Sequence, residues 1–165
     1  MTVGARAACG QQSMTRDRSP LFALVFVTAL VVLMPGCAAA SVPCNRYAAP
    51  NGRDNAGGSS RSPFRTVQRL VESLHAGQVG CLRQGTYYGD VGFRRGGHRG
   101  SPVSLRPVPG EEATVVGRVW IPKGVNWVDV SYLHLDGRNG PQLPSPTVNS
   151  DNDQFTYDYV TNDHT

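Results

Sequence analysis

The sequence of 165 residues lacks the short motifs that mark the common hydrolases and nucleotide-dependent enzymes. It has no Gly-x-Ser-x-Gly nucleophile elbow, no phosphate-binding loop and no dinucleotide fingerprint. No histidine or third cysteine stands at zinc-ligand spacing from Cys44 and Cys81. These absences argue against acyl transfer, phosphoryl transfer and zinc chemistry.

The chain also lacks the features of a nucleic-acid-binding protein. It has 16 Lys and Arg against 12 Asp and Glu, a net charge of +4. No basic helix and no alternation of aromatic with basic residues accompanies this excess, so we expect no nucleic-acid partner. Good helix formers are scarce, whereas 19 glycines and 12 prolines predict a turn-rich β structure.

No apolar run reaches the roughly 20 residues that a membrane-spanning helix needs. The longest run is Leu21–Met34, which follows Arg16 and Arg18 and precedes Pro35. Its length and flanks predict a secretory signal over residues 1–40, with a membrane span as the alternative. Translation starting at Met14 would give the signal a more usual length.

Two processing routes are compatible with the residues after this run. The sequence LMPGC resembles a lipoprotein signal, in which Cys37 becomes the lipidated first residue, although Met34 and Pro35 depart from the usual pattern. Cleavage near Ala38–Ala40 would instead release a soluble chain. Both routes predict an extracellular or cell-surface protein that contacts a membrane only through a lipid anchor.

Cys9 lies in the segment that would be removed, and Cys37 would be either removed or lipidated. Two cysteines, Cys44 and Cys81, then remain available for a disulfide bond. In an oxidising compartment two cysteines are expected to form a disulfide bond. Two buried free thiols are the alternative.

A helix and a repeat organise the remainder. Residues 48–62 are rich in glycine, asparagine and serine and predict a loop. The segment 63–75 predicts an amphipathic helix capped by Ser62 with Pro63 in its first turn. Its apolar face consists of Phe64, Val67, Leu70, Val71 and Leu74.

Beyond Gly77 the apolar residues alternate in short runs near positions 79, 103, 128 and 155, at intervals of 24, 25 and 27 residues. Such a repeat without intervening helices predicts a solenoid whose strands pair in parallel from coil to coil. An antiparallel β-sandwich is the alternative. We align Val128 with Phe155, Val130 with Tyr157 and Leu133 with Val160.

The stretch from Tyr47 to Tyr87 resembles the entry to right-handed parallel β-helices of the pectate-lyase-like superfamily. The resemblance is carried by Asn51-Gly52-x-Asp54, by the Ser-Pro-Phe-x-Thr sequence at 62–66 and by Gly-Thr-Tyr at 85–87. It implies an all-β solenoid over residues 41–165, with helix 63–75 as an N-terminal cap.

The superfamily includes polysaccharide lyases, other carbohydrate-active enzymes and non-catalytic surface proteins. The resemblance therefore implies a polysaccharide partner, for which an acidic polysaccharide is the candidate. The pattern reaches Thr165 in mid-coil, so we expect a monomeric N-terminal part of a longer lyase-like protein. The catalytic residues are unassigned, and we expect no turnover from these residues alone. A non-catalytic glycan-binding surface protein is the alternative.

Lyases of this family use calcium, and the alignment of the last two coils would place Asp136 over Asp163. Carboxylates on neighbouring parallel strands, about 4.8 Å apart, could share such a cation. Both residues could equally be turn residues that bond their own backbone. The loop Asp151–Asp153 offers further oxygen atoms, or is simply solvated.

The glycine-rich segment 93–100 contains Arg94, Arg95 and Arg99, which could bind the carboxylates of an acidic sugar. A solvated loop is the alternative. Trp127 is expected to face outward as a stacking platform, as Trp120 and Tyr132 could. His134 and His164 are candidate acid or base groups without a visible nucleophile.

Overall fold

A computed structural model describes residues 42–137, 145–156 and 158–161. The predicted signal segment 1–40, with Cys37, and also Asp163 and His164 lie outside these described residues. The described part contains one helix and twelve short strands. In chain order these are β1 (Arg46–Ala48), α1 (Val67–Glu72), β2 (Val79–Leu82), β3 (Gly85–Tyr88), β4 (Val91–Gly92), β5 (Val103–Pro107), β6 (Ala113–Val116), β7 (Val119–Ile121), β8 (Val128–Ser131), β9 (His134–Asp136), β10 (Thr147–Val148), β11 (Gln154–Thr156) and β12 (Tyr159–Thr161).

The strands form three sheets in which every pair is parallel. The sheet orders are β1-β2-β5-β8-β11, β10-β7-β4 and β12-β9-β6-β3, so each strand pairs with its counterpart one coil away. The predicted parallel solenoid is confirmed. The β-sandwich alternative is wrong, because a sandwich is built from antiparallel strands.

The core lies between the three sheets and is filled by alternate residues of each strand. In β5 and β8 the inward residues Val103, Leu105, Val128 and Val130 are fully buried. Their neighbours Ser104 and Asp129 are only partly buried. The period of two that predicted the strands therefore separates an apolar interior from a polar exterior.

The helix begins later than predicted. Thr66, not Ser62, is the N-cap, and its side chain accepts a hydrogen bond from the Arg69 backbone nitrogen. The Asp54 carboxylate accepts hydrogen bonds from the backbone nitrogens of Arg65 and Thr66 and from the Thr66 hydroxyl. These bonds hold the residues before Val67 outside the helix. The predicted apolar face is nevertheless buried as expected, namely Phe64, Val67, Leu70, Val71 and Leu74.

The helix α1 packs directly on the first strands. Leu70 and Leu74 side-chain atoms lie only 3.2 and 2.9 Å from where a Cβ at Gly80 would stand. The Gln68 side chain accepts from the Gly92 nitrogen and donates to the Gly92 oxygen of β4, at 2.7 and 3.2 Å. The amide of Gln68 thus bonds Gly92 as a neighbouring strand would.

The single helix of the described residues is not long and apolar enough to cross a membrane.

The predicted alignment of the last two coils is wrong by two residues. Val130, not Val128, lies beside Phe155 in the parallel ladder. In the next sheet Asp136 pairs with Thr161. The alignment failed because Phe155 matches either valine by type, while the inter-strand hydrogen bonds select only one register.

The disulfide bond between Cys44 and Cys81 is confirmed. It joins the residue two positions before β1 to the middle of β2, with a Cα–Cα distance of 5.7 Å. The bond closes the first coil onto the second.

Candidate functional site

The outer face of the five-stranded sheet contains a groove, here called the sheet groove. Its volume is about 330 Å³. Ser104 and Arg106 of β5 and Asp129 and Ser131 of β8 form its floor, because they are the outward members of strands whose other residues fill the core. The rest of its wall comes from Val42, Gly77, Val79, Gly100, Ser101 and Pro102.

Arg106 is the cation of the sheet groove. One of its terminal nitrogens donates a hydrogen bond to the Val42 carbonyl oxygen. Its Nε is buried and has no hydrogen-bond partner among the described residues. A buried N–H without a partner is costly, so the position of this side chain is not explained by packing alone.

Asp129 lies on the strand next to Arg106. Partial burial raises the pKa of the Asp129 carboxyl, and the Arg106 charge lowers it by a smaller amount. Burial also raises the pKa of Asp158, and the negative charge of Asp129 raises it further. One Asp158 oxygen accepts the Leu133 backbone N–H at 2.8 Å, whereas Oδ2 is buried without a partner among the described residues. The groove thus combines the Arg106 cation with the Asp129 carboxyl, whose pKa is raised by burial.

The three arginines predicted to bind acidic sugar lie on a loop at one end of the sheet groove. Arg94, Arg95 and Arg99 are exposed. Arg94 forms an ion pair with Glu72 at 3.3 Å. The loop reaches the groove through Gly100 and Ser101, which line it. Of the three, Arg99 directly precedes the groove-lining residue Gly100.

The tryptophans occupy different environments. Trp127 is half-buried and has a left-handed backbone with φ of 61°. Its carbonyl oxygen accepts the Val103 N–H, which fixes the residue at the start of β8. Trp120 is exposed on β7, where the Arg118 guanidinium stacks 5.2 Å from its ring centroid. Neither ring lines the sheet groove.

The predicted metal pair is not supported by the register of the strands. Asp136 lies beside Thr161, and Asp163 is outside the described residues. Asp153 accepts the Val128 backbone N–H at 2.8 Å and the Ser150 hydroxyl, so this loop aspartate has a structural role. No three potential metal-binding side chains cluster within the described residues. A calcium site remains a prediction.

Arg106, Asp129 and Asp158 were missed by sequence reasoning. Their adjacency comes from the stacking of coils, in which Ser104 and Asp129 are paired at an interval of 25 residues. The signal was present, because the same interval separates Leu133 from its hydrogen-bond partner Asp158. Applying one constant interval to polar residues would have located the groove.

Comparison with known proteins gives two curated relatives and one solved structure. No protein-family model matches the chain. The uncharacterized protein YwoF of Bacillus subtilis is 32% identical over 71 residues, covering 43% of this chain and 15% of that protein. Pectate lyase PEL9 of Emericella nidulans is 30% identical over 93 residues, covering 55% and 22%. A rhamnogalacturonan lyase structure has a TM-score of 0.41 and 23% identity, covering 56% of this chain and 27% of its own.

The chain spans less than a quarter of the length of either curated relative. Its three parallel sheets and its similarity to a pectate lyase confirm the pectate-lyase-like parallel β-helix expected from residues Tyr47–Tyr87.

Proposed function

We propose that this chain, a pectate-lyase-like parallel β-helix, binds an acidic polysaccharide in its sheet groove, outside the cytoplasm. The observation that carries the proposal is the outward guanidinium of Arg106 in a groove whose floor also holds Ser104 and Ser131. A pectate lyase, by its name, acts on an acidic polymer, and the similarity to that enzyme supports the same substrate class.

The groove chemistry suits a uronate unit. The planar guanidinium of Arg106 on the groove floor favours paired contacts with the carboxylate of such a sugar. The hydroxyls of Ser104 and Ser131 can bond sugar hydroxyls. Arg95 and Arg99 on the adjoining loop extend the positive field along a polyanion.

Binding without turnover is the expected behaviour of the described residues. Arg106 donates a hydrogen bond to the Val42 carbonyl oxygen and lies beside the Asp129 charge, so its guanidinium is placed to hold a ligand rather than to act on one. A lyase-type elimination would need a further base. A non-catalytic glycan-binding surface protein is therefore the second candidate function.

Export and anchoring form part of the proposal. A disulfide bond between Cys44 and Cys81 is typical of proteins in oxidising compartments, which supports an extracellular location. Residues 1–40 would act as the signal, with lipidation at Cys37 or cleavage near Ala40 as the two outcomes. The helix α1 would cap the first coil, as its contacts with Gly80 and Gly92 suggest.

Calcium is the cofactor that we propose. The carboxyls of Asp129 and Asp158 are close enough for the charge of Asp129 to raise the pKa of Asp158, and oxygen atoms are the ligands that calcium prefers. A bound cation would relieve the repulsion that raises the pKa of Asp158. If calcium binds here, added calcium should raise the melting temperature of the protein. Asp129→Asn should abolish that rise, whereas Asp136→Asn should leave it intact.

Affinity electrophoresis tests polysaccharide binding. The full chain is run through gels that contain polygalacturonate, beside Arg106→Gln and the matched variant Arg118→Gln, whose guanidinium stacks on Trp120 of another sheet. We expect retardation of the wild type, loss of retardation in Arg106→Gln and little change in Arg118→Gln. Equal retardation of both variants would overturn the assignment of the groove.

Ultraviolet absorbance of the polymer solution separates the two candidate functions. An unsaturated product formed by the chain with calcium would establish a lyase and contradict our expectation of binding alone. Binding at a constant absorbance would support the glycan-binding module.

A further inference from the structure

A second groove lies around the corner between the five-stranded sheet and the four-stranded sheet. It consists of two hollows of about 430 and 190 Å³ that share Glu112 and Tyr132 as lining residues. We call the smaller hollow the corner site. Its lining also includes Ala113, Thr114, Leu133, His134 and Tyr159.

Tyr132 has an unusual backbone for an exposed aromatic residue. Its φ is 60°, a left-handed conformation that bulky residues rarely adopt, and its side chain is 59% exposed. The next coil fixes the residue, because the Tyr132 N–H donates to the Thr156 oxygen at 3.0 Å. Strained backbone of this kind is concentrated at functional positions. Tyr132 thus forms a rigid aromatic surface at the edge of the corner site.

A pair of aromatic rings, from His134 and Tyr159, forms the opposite side of the corner site. Tyr159 is 66% exposed, and its ring meets the His134 ring edge-on with centroids 4.8 Å apart. The His134 Nε2 lies 3.3 Å from the Thr161 hydroxyl. These residues occupy outward positions of paired strands, so the parallel ladder holds them in place.

The corner site carries a negative charge at Glu112, whereas Arg106 lines both the sheet groove and the larger of the two hollows. Glu112 is the only acidic or basic lining residue of the smaller hollow apart from His134. Its carboxylate makes no hydrogen bond or ion pair within the described part of the chain, whereas the adjacent Glu111 bonds Arg83 and the Gln84 N–H. A uronate would be repelled by Glu112, while the hydroxyls of an uncharged sugar can donate to it.

We infer that the corner site binds a neutral pyranose unit, with Tyr132 stacking on the apolar face of the ring and Glu112 accepting sugar hydroxyls. Sites for small polar ligands combine apolar surface with a few convergent polar groups, and Thr114, His134 and the Tyr159 hydroxyl supply further ones. The inference rests on the proposed function in taking polysaccharide as the ligand class. The chain would then bind acidic and neutral sugars at two neighbouring sites, between which lies Arg106.

The test uses affinity electrophoresis of the full chain in gels with a neutral pyranose polymer, namely β-1,4-galactan, glucomannan or xyloglucan, and separately with polygalacturonate. The main variant is Tyr132→Asn, because asparagine tolerates the left-handed backbone. Tyr132→Phe keeps the ring, and Tyr88→Asn is a matched change of an exposed tyrosine on β3 that does not line the corner site. Melting temperatures of all variants confirm folding.

We expect at least one neutral polymer to retard the wild type. Tyr132→Asn should weaken this binding about tenfold, while Tyr132→Phe and Tyr88→Asn leave it nearly unchanged. Polygalacturonate binding should survive Tyr132→Asn and be lost in Arg106→Gln. This reciprocal pattern would establish two distinct sugar sites.

Other outcomes overturn the inference in distinguishable ways. Retardation by polygalacturonate without retardation by any neutral polymer would reject the corner site and leave the proposed function standing. Retardation by neither polymer class would reject both. Equal weakening on both classes by Tyr132→Asn would show one continuous site. Displacement of a bound neutral polymer by a polyproline peptide would assign the corner to a protein partner.

Discussion

Asp129 raises the pKa of Asp158, although the two residues lie 29 positions apart on successive coils. Burial raises the pKa of both carboxyls above the ordinary value of 3.8, and the repulsion adds to this effect at Asp158. Folding therefore favours the protonated forms. The two groups contribute most to stability below pH 3.8, and that contribution is lost as the pH rises through their raised pKa values.

Neutralising Asp129 should therefore stabilise the protein at neutral pH. We expect Asp129→Asn to raise the free energy of unfolding at pH 7 by about 0.5 kcal/mol, a small value because the side chain is only partly buried. The gain should vanish below about pH 4, where the wild-type carboxyl is protonated as well. Urea unfolding at several pH values measures it, with the exposed Asp151→Asn as control. A loss of stability at pH 7 would show that the attraction to Arg106 dominates.

Among the side chains of the loop at residues 48–62, Asp54 should contribute most to the stability of the fold. Its carboxylate accepts three hydrogen bonds, from the Arg65 and Thr66 backbone nitrogens and the Thr66 hydroxyl. We expect Asp54→Ala to lower the free energy of unfolding by about 2 kcal/mol. Denaturant titration checks this against Asp151→Ala, which removes an exposed carboxylate. Equal effects of the two changes would contradict the role of Asp54.

Two adjacent glycines provide a matched test of the loop packing. Gly58 has φ of +72°, and a Cβ there would lie 2.2 Å from the Phe64 ring. Gly57 has open space within 4 Å of its ideal Cβ. We expect Gly58→Ala to destabilise the fold by more than about 2 kcal/mol and Gly57→Ala to change it by less than about 0.5 kcal/mol. Thermal unfolding of the two variants decides the matter, and similar melting temperatures would refute the packing argument.

The disulfide should contribute strongly to stability. Cys44 and Cys81 are separated by 37 residues, and replacing both by serine should lower the free energy of unfolding by about 3 kcal/mol. A reducing agent should lower the melting temperature of the wild type to about that of the double variant. It should leave the melting temperature of the double variant unchanged. If reduction has no effect on the wild type, the bond does not stabilise the chain.

The sequence predicted the architecture better than the ends of its elements. The repeat near 79, 103, 128 and 155 sufficed for the solenoid, because a constant interval between short strands has few other solutions. The helix start was misplaced, because Asp54 selects it through hydrogen bonds across more than ten positions. Local capping preferences at Ser62 and Pro63 could not contain that information.

The candidate site was harder to predict than the fold. Arg106 and Asp129 have ordinary sequence neighbours, and only the parallel register brings them to one groove. The error of two residues in the final alignment had the same origin, since it placed Asp136 beside Asp163 instead of Thr161. The sequence offered Tyr132 as a candidate platform, but its left-handed backbone is not visible in the sequence.

The disulfide also determines how the chain would respond to a mechanical pull. Strand order follows chain order in the five-stranded sheet, so tension applied at one end would peel the strands away singly. Tension entering at Val42 reaches Cys44 and passes through the sulfur atoms to Cys81, bypassing β1 and α1. The first coil would stay folded while the second begins to yield.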